Sequence, residues 1–371
     1  MKKNKIPWFY PLIGESEKSA VMKVLDSGYI NDGEVTRSLE STFAAYLGCR
    51  HCVAVSSGTA ALTLSLLALG VGPGDEVIVP DLTFIATANA AKLAGAQVKL
   101  VDVDLKRFTI DPHKVRSAIT PQTKAVMAVD VNGRGADYEA LEPLCKEFGL
   151  YLICDSAEAL GSKYQGRYLG TYGDAGCYSF SANKTVSSGQ GGLIATDNTE
   201  LYYRLRELKD QGRRFGGTGG DDLHPVIGYN FKYTNVLAAM ALAQFERLPE
   251  RLKLFSERDQ WYYEALKNCE EITLPPLSNE SGEVRQWTDL LCDDRKLLEQ
   301  VFNENAIGYR PFWHPLHQQD PYKLPDHGFE NSIRISKQGL WLPSSFEITK
   351  NDVEFVTGII QEVLDKRRIK V

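Results

Sequence analysis

Between Cys52 and about Ile194 the chain alternates short, β-branched apolar runs with stretches whose apolar residues recur at helical spacing. That rhythm belongs to an α/β fold with a mostly parallel central sheet. The predicted strands are Cys52–Val55, Glu76–Val79, Gln97–Val101, Ala125–Val129, Tyr151–Cys154, Gly176–Ser179 and Leu193–Thr196. Most are apolar at every position rather than at alternate ones, as strands buried on both faces should be. Helices are predicted at Thr59–Leu69, Thr87–Leu93 and Tyr138–Glu147, and Gly72-Pro73-Gly74 with Gly161, Gly166, Gly170 and Gly173 punctuates the loops. From Asn235 to about Phe255 an Ala- and Leu-rich helical pattern predicts one long helix leaving a large domain, placed at residues 1–248. The smaller C-terminal α/β domain, residues 249–371, would hold a helical segment to about Asn268, a break at Pro275-Pro276, a strand near Leu290–Cys292 and a final helix Asn351–Lys366.

The 371 residues are 43% apolar and 24% charged, enough for a sizeable core and a two-part chain. Lys plus Arg is 42 against 48 for Asp plus Glu, a net charge of −6, and the only basic run is Lys366-Arg367-Arg368. A nucleic-acid binder, whose affinity rests on neutralising phosphates, is therefore not expected. No apolar stretch approaches the ~20 residues of a membrane span, so no membrane insertion is expected either. Ile6-Pro7-Trp8-Phe9-Tyr10-Pro11 is too short and proline-broken for a signal-peptide core, and the expected location is the cytoplasm. Seven scattered cysteines read as free thiols. Cys49-Arg50-His51-Cys52 is the lone CxxC, Cys52 opens a strand, and no HExxH occurs, so no metal site is expected.

Four local patterns carry candidate chemistry. Ser56-Ser57-Gly58-Thr59-Ala60-Ala61-Leu62 follows a strand and opens a helix, which makes it either an ordinary N-cap or a phosphate cradle of bare N–H groups. Leu152-Ile153-Cys154-Asp155 ends a strand on a carboxylate, at the edge where α/β sheets bind ligands. Asp155 there is either the cap of a following helix or the partner of a protonated ring nitrogen. Lys184, in Ser179-Phe180-Ser181-Ala182-Asn183-Lys184-Thr185, lies between a strand and the return Gly189-Gln190-Gly191-Gly192. A lysine so placed can sit inside a site and attack carbonyls. Phe84, at the exit of the strand Glu76–Val79, is either core or a platform for a planar ligand. The run Gly216-Gly217-Thr218-Gly219-Gly220 after Arg213-Arg214 is read as a mobile active-site loop.

Taken in order, Ser-Gly-Thr-Ala-Ala-Leu at 57–62, Pro-Gly-Asp-Glu-Val-Ile-Val-Pro at 73–80, Thr-Phe-Ile-Ala-Thr-Ala-Asn-Ala at 83–90, Asp-Ser-Ala-Glu-Ala-Leu-Gly at 155–161, Ser-Phe-x-x-x-Lys at 179–184 and Gly-Gln-Gly-Gly at 189–192 resemble one family. It is the DegT/DnrJ/EryC1/StrS family of pyridoxal-phosphate-dependent sugar aminotransferases. The resemblance runs over nearly the whole chain, to Arg310-Pro311-Phe312-Trp313-His314-Pro315-Leu316-His317. It implies a fold-type-I (aspartate aminotransferase-like) cofactor domain, a small C-terminal domain and a homodimer with shared active sites.

The resemblance further implies that Lys184 bonds to the cofactor aldehyde and later moves protons, and that Asp155 pairs with the pyridine nitrogen. Glu158 would contact the ring-hydroxyl side and Phe84 would stack on the ring. Gly58, Thr59 and Ser179 would form the phosphate cup, and Asn230 would reach the phosphate of the neighbouring subunit. The implied donor is L-glutamate, which leaves pyridoxamine phosphate. The implied acceptor is a nucleotide-linked 4-keto-6-deoxy sugar for surface polysaccharide (such as O-antigen) or deoxyaminosugar synthesis, as in the branch that includes GDP-perosamine synthases. Arg310, His314 and His317 would contact substrate. Relatives that dehydrate the sugar carry histidine where this chain has Lys184, and nothing resembles the attached module of a cofactor-sensing regulator. Two segments depart from the usual pattern: Asp130-Val131-Asn132-Gly133-Arg134 stands where many relatives have His-Leu-Tyr-Gly, and Gln190 where they have Glu. Both bear on which sugar is taken.

Overall fold

The computed structural model describes residues 6–214, 222–276 and 282–368. The glycine run at 216–220 lies outside the described residues. Two helices missing from the sequence reading come first, α1 (Glu15–Ser27) and α2 (Glu34–Leu47). In α2 the residues Leu39, Phe43 and Leu47 recur every four positions and are buried, so one stripe faces the core. There follow β1 (His51–Val55), α3 (Gly58–Ala68), β2 (Glu76–Pro80), α4 (Ala86–Leu93), β3 (Gln97–Val101), α5 (Pro112–Ala118), β4 (Thr123–Val129), α6 (Tyr138–Phe148) and β5 (Tyr151–Asp155). A short hairpin, β6 (Lys163–Tyr164) and β7 (Arg167–Tyr168), precedes β8 (Ala175–Ser179), β9 (Gly192–Thr196) and α7 (Thr199–Lys209).

Seven of these strands form one sheet in the order β1-β9-β8-β5-β4-β2-β3. Every neighbour pair from β8 to β3 is parallel, and β9 runs antiparallel to both β1 and β8. The register fixes the site: Gly192 lies opposite both Val55 and Ser179, Asp155 lies opposite both Val129 and Cys177. The carboxyl ends of β1, β8, β5 and β4 therefore meet along one edge, where open α/β sheets bind ligands. At Gly192 a side-chain Cβ would stand 2.4 Å from the Ser57 carbonyl, so only glycine lets β9 begin against the start of α3.

The long helix expected from Asn235 is two helices, α8 (Asn235–Glu246) and α9 (Leu248–Leu266), with Arg247 at φ −94°, ψ 5° between them. Pro249 in the first turn of α9 explains the break, because its missing N–H and its ring fit a helix start and not an interior. The remaining elements are β10 (Ile272–Thr273), β11 (Asp289–Cys292), α10 (Arg295–Glu304), β12 (Arg310–Pro311), α11 (Glu330–Gln338), β13 (Gly339–Trp341) and α12 (Lys350–Arg368). Four of them form a second, antiparallel sheet ordered β10-β11-β13-β12. Leu290, Leu340, Phe302, Val356 and Ile360 build its core. Ile6 enters that same core and bridges Ile307, so the N-terminal segment crosses to the C-terminal sheet. Among the described residues no helix is long and apolar enough to cross a membrane.

Candidate active site

At the carboxyl edge of the large sheet lies a cavity of about 360 Å³. Gly58, Thr59, Phe84, Asp155, Glu158, Ser179, Lys184 and Arg310, all expected at the site, line it. Asp155 ends β5 and is buried. Its Oδ2 accepts a hydrogen bond from the Thr87 hydroxyl (2.7 Å) and its Oδ1 a longer one from the Ala157 N–H (3.3 Å). Burial pushes its carboxyl above the ordinary value, against the pull of the Thr87 and Ala157 bonds and the Lys184 ammonium. An anion so under-compensated is stabilised by a cation brought against it.

Lys184 enters from the turn after β8. Its Nζ lies 3.3 Å from Glu158 Oε1 and 5.1 Å from the centre of the Trp287 ring. The other Glu158 oxygen, Oε2, accepts from the Asn132 N–H at 3.2 Å. The amine and the Asp155 carboxylate face one cavity.

The loop from β1 into α3 supplies an anion seat. Ser57 caps the helix by accepting from the Ala60 N–H (3.0 Å), and the first intrahelical bond is made by the Ala61 N–H. The N–H groups of Gly58 and Thr59 precede it and point out of the helix N-terminus. A Cβ at residue 58 would sit 3.0 Å from Ser179 Cβ, so a glycine there keeps backbone and Ser179 close on one side of the cavity. Phe84 is 52% exposed and presents a ring to the cavity rather than to the core. Arg310 enters from the C-terminal sheet with its guanidinium 5.3 Å from the Trp8 ring and 5.4 Å from the Trp341 ring.

Two expected site residues, His317 and His314, lie elsewhere, and Asn230, expected to reach a neighbouring subunit, lies outside this cavity. His317 is fully buried. Its Nδ1 is 2.7 Å from Asp81 Oδ2 and its Nε2 3.2 Å from Asp326 Oδ1, and its ring stacks on Phe329. The expectation of a substrate contact is corrected: with both nitrogens engaged and no exposure, His317 ties residues 316–326 to the end of β2. His314 is exposed and outside the cavity lining, its carbonyl accepting from Gln319. Asn230 is exposed and bridges Asp210 at a separate depression with Arg37, Arg213 and Lys232. Conversely, Thr87 and Trp287 shape the site and were not expected, and Asn132, expected only as part of a departing segment that bears on the sugar, bonds to Glu158 instead. Thr87 is one helical turn beyond Thr83, whose hydroxyl is 3.1 Å away, and that spacing was the only available signal. Trp287 arrives from a distant segment that no local pattern announces.

The family model for the DegT/DnrJ/EryC1/StrS aminotransferases matches residues 11–361. The chain belongs to this family. It is 34% identical over 369 residues to a GDP-perosamine synthase of Caulobacter vibrioides, covering 95% of this chain and 97% of that protein. The crystal structure of S. venezuelae DesV in complex with a ketimine intermediate superposes with a TM-score of 0.90 at 30% identity, covering 94% of each chain. The pyridoxal-phosphate form of Spr1654 from Streptococcus pneumoniae, described as a putative sugar aminotransferase, gives a TM-score of 0.92 at 26% identity over 98% of this chain and 99% of that one. This DegT/DnrJ/EryC1/StrS protein is a pyridoxal-phosphate-dependent sugar aminotransferase. The cavity suits that cofactor on its own terms: a bare helix N-terminus for a phosphate, an under-compensated buried carboxylate for a ring cation, and an amine lining the same space.

Proposed function

We propose that the protein moves an amino group from L-glutamate to a nucleotide-linked 4-keto-6-deoxy sugar, as a homodimer whose partner subunits complete each other's sites. The single observation that carries the reading is that Lys184 and Asp155 line one cavity beside the α3 N-terminus. In this reading Gly58, Thr59 and Ser179 hold the cofactor phosphate, Phe84 covers the ring and Glu158 faces its hydroxyl side. When bound, pyridoxal phosphate supplies the electron sink that lets a proton leave the amino-bearing carbon.

Each protein group then has a defined task. Asp155 would face the ring nitrogen, and its buried carboxylate would be stabilised by a proton held there. Lys184 would carry a proton away from the donor carbon and later return one to the acceptor carbon. Positioned proton transfer of this kind contributes ~10²–10⁴-fold. Glu158, whose Oε1 lies 3.3 Å from Lys184 Nζ, would steady that amine. Asn230 sits outside the cavity of its own subunit and exposed, which supports a role toward the phosphate of a partner subunit. The similarity to a GDP-perosamine synthase supports a GDP-linked acceptor and a sugar aminated at C4.

The reading predicts a yellow protein that bleaches with L-glutamate and regains colour when the right keto sugar follows, with ping-pong kinetics. Lys184→Ala and Asn230→Ala, each impaired alone, should regain activity when their subunits are mixed, because one site of the hybrid then carries both native residues. No bleaching with glutamate refutes amino transfer, and hybrids without recovery refute the shared site.

A further inference from the structure

The turn after β4, where the chain departs from the usual family pattern, is joined to the segment that delivers Trp287. Asn132 lies in the left-handed region (φ 52°, ψ 40°), which asparagine tolerates better than other side chains, and is fully buried. Its side chain holds both sides of one distant residue: Oδ1 accepts from the Trp287 N–H at 2.8 Å, and Nδ2 donates to the Trp287 carbonyl. Nδ2 also donates to Asp289 Oδ2 at 3.1 Å. Next to it, Gly133 has φ +84° and a Cβ there would stand 2.0 Å from the Val284 carbonyl, so the two segments touch backbone to backbone. Ser162 Oγ seals the junction by donating to the Gly133 carbonyl at 2.8 Å and accepting from the Val284 N–H at 2.7 Å.

The same residue reaches the site from its other end, where the Asn132 N–H donates to Glu158 Oε2 while Glu158 Oε1 takes Lys184. The Lys184 amine thus rests between a carboxylate and an aromatic ring, and Asn132 bonds to the residue behind each. We propose that Asn132 is a positioning residue for Lys184, fixing Glu158 through its backbone N–H and the Trp287 ring through a two-point grip on that residue's peptide groups. The side-chain grip closes only when residues 283–289 are docked, so the amine is aimed by the junction between the two sheets. The inference rests on the proposed role of Lys184.

Two measurements on the full-length protein separate aim from cofactor affinity. The rate at which yellow colour develops when pyridoxal phosphate is added to the cofactor-free protein reads the placement of the amine. Binding of pyridoxamine phosphate, which has no aldehyde for Lys184, reads the cofactor seat without the bond to that amine. Asn132→Gly keeps the left-handed turn and removes the grip. A displacement near 1 Å costs on the order of 100-fold in rate, so colour should form roughly 10–100-fold more slowly with pyridoxamine phosphate affinity within about 3-fold of wild type. Trp287→Leu, which leaves the turn untouched, should reproduce the same split. Colour forming at the wild-type rate in both variants overturns the inference, and so does pyridoxamine phosphate affinity falling in step with the rate. A wild-type protein that develops no colour overturns the Lys184 assignment itself and the inference with it.

Discussion

Replacing Asp289 by asparagine removes one negative charge from the buried junction between the two sheets, and the structure sets the size of the effect. Asp289 has no exposure and accepts from both Arg134 terminal nitrogens at 3.1 and 2.8 Å, while Arg285 Nε lies 3.2 Å from Oδ1. Burial pushes the Asp289 carboxyl up, but Arg134 and Arg285 outweigh that push and hold it below the ordinary carboxylate value. In Asp289→Asn the Arg134 guanidinium, also without exposure, keeps one neutral acceptor where it had a carboxylate. Breaking a buried pair from one side costs about 3–5 kcal/mol. With one acceptor retained the lower end applies, about 3 kcal/mol, or roughly a hundredfold in the folding equilibrium. Arg134→Met should cost less, because Asp289 retains Arg285 and Asn132. Arg134→Met combined with Asp289→Asn should cost less than the two single changes added together, the sign that the two residues are coupled. Urea unfolding of the four proteins at pH 7.5 measures this. Because the folded-state carboxyl is depressed, its contribution is present above about pH 4 and lost as pH falls through the folded value, so the gap to wild type should close in acid. An Asp289→Asn cost below about 1 kcal/mol at pH 7.5, or a larger cost for Arg134→Met, would refute the reasoning.

Two further outcomes follow from the site. Gly58→Ala places a methyl group 3.0 Å from Ser179 Cβ in the anion seat, so pyridoxal phosphate affinity should fall by about tenfold or more while the urea midpoint moves little; equilibrium titration of the cofactor checks it. Asp130 is fully buried with Tyr138, Ser156 and the Ala136 N–H as donors, and burial raises its carboxyl to about 7. A raised folded-state value means the stability it confers is complete below the unfolded value near 4 and is lost as pH rises through about 7. Asp130→Asn should therefore flatten the decline of stability between those limits, and a pH series of thermal unfolding that keeps the wild-type slope would count against it.

What could be read from sequence was chemistry that a strand end or a helix start delivers by itself. Asp155 follows an apolar run with no alternation, Gly58 opens a helix behind a serine cap, and Lys184 lies between a strand and a glycine-rich return, so local pattern made each a candidate, the resemblance joined them, and the pairing of β8 with β9 sets them on one edge of the sheet. What could not be read was support that arrives from far along the chain. The Thr87 bond to Asp155 spans 68 residues and the Asn132 bonds to Trp287 span 155, and no periodicity carries that information. His317 shows the opposite failure, since a histidine close in sequence to Arg310 looked like a substrate contact until Asp81 was seen to occupy its Nδ1. The departure at residues 130–134 changes meaning for the same reason. Read along the chain it touched only sugar identity. In the fold Asp130, Asn132 and Arg134 have no exposure, and each is spent on a bond that holds β4, β5 or the segment 283–289 in place. A segment so fully engaged inside the protein is unlike a substrate wall, whose polar groups must be left for the ligand. Gln190 and Arg310, by contrast, line the cavity.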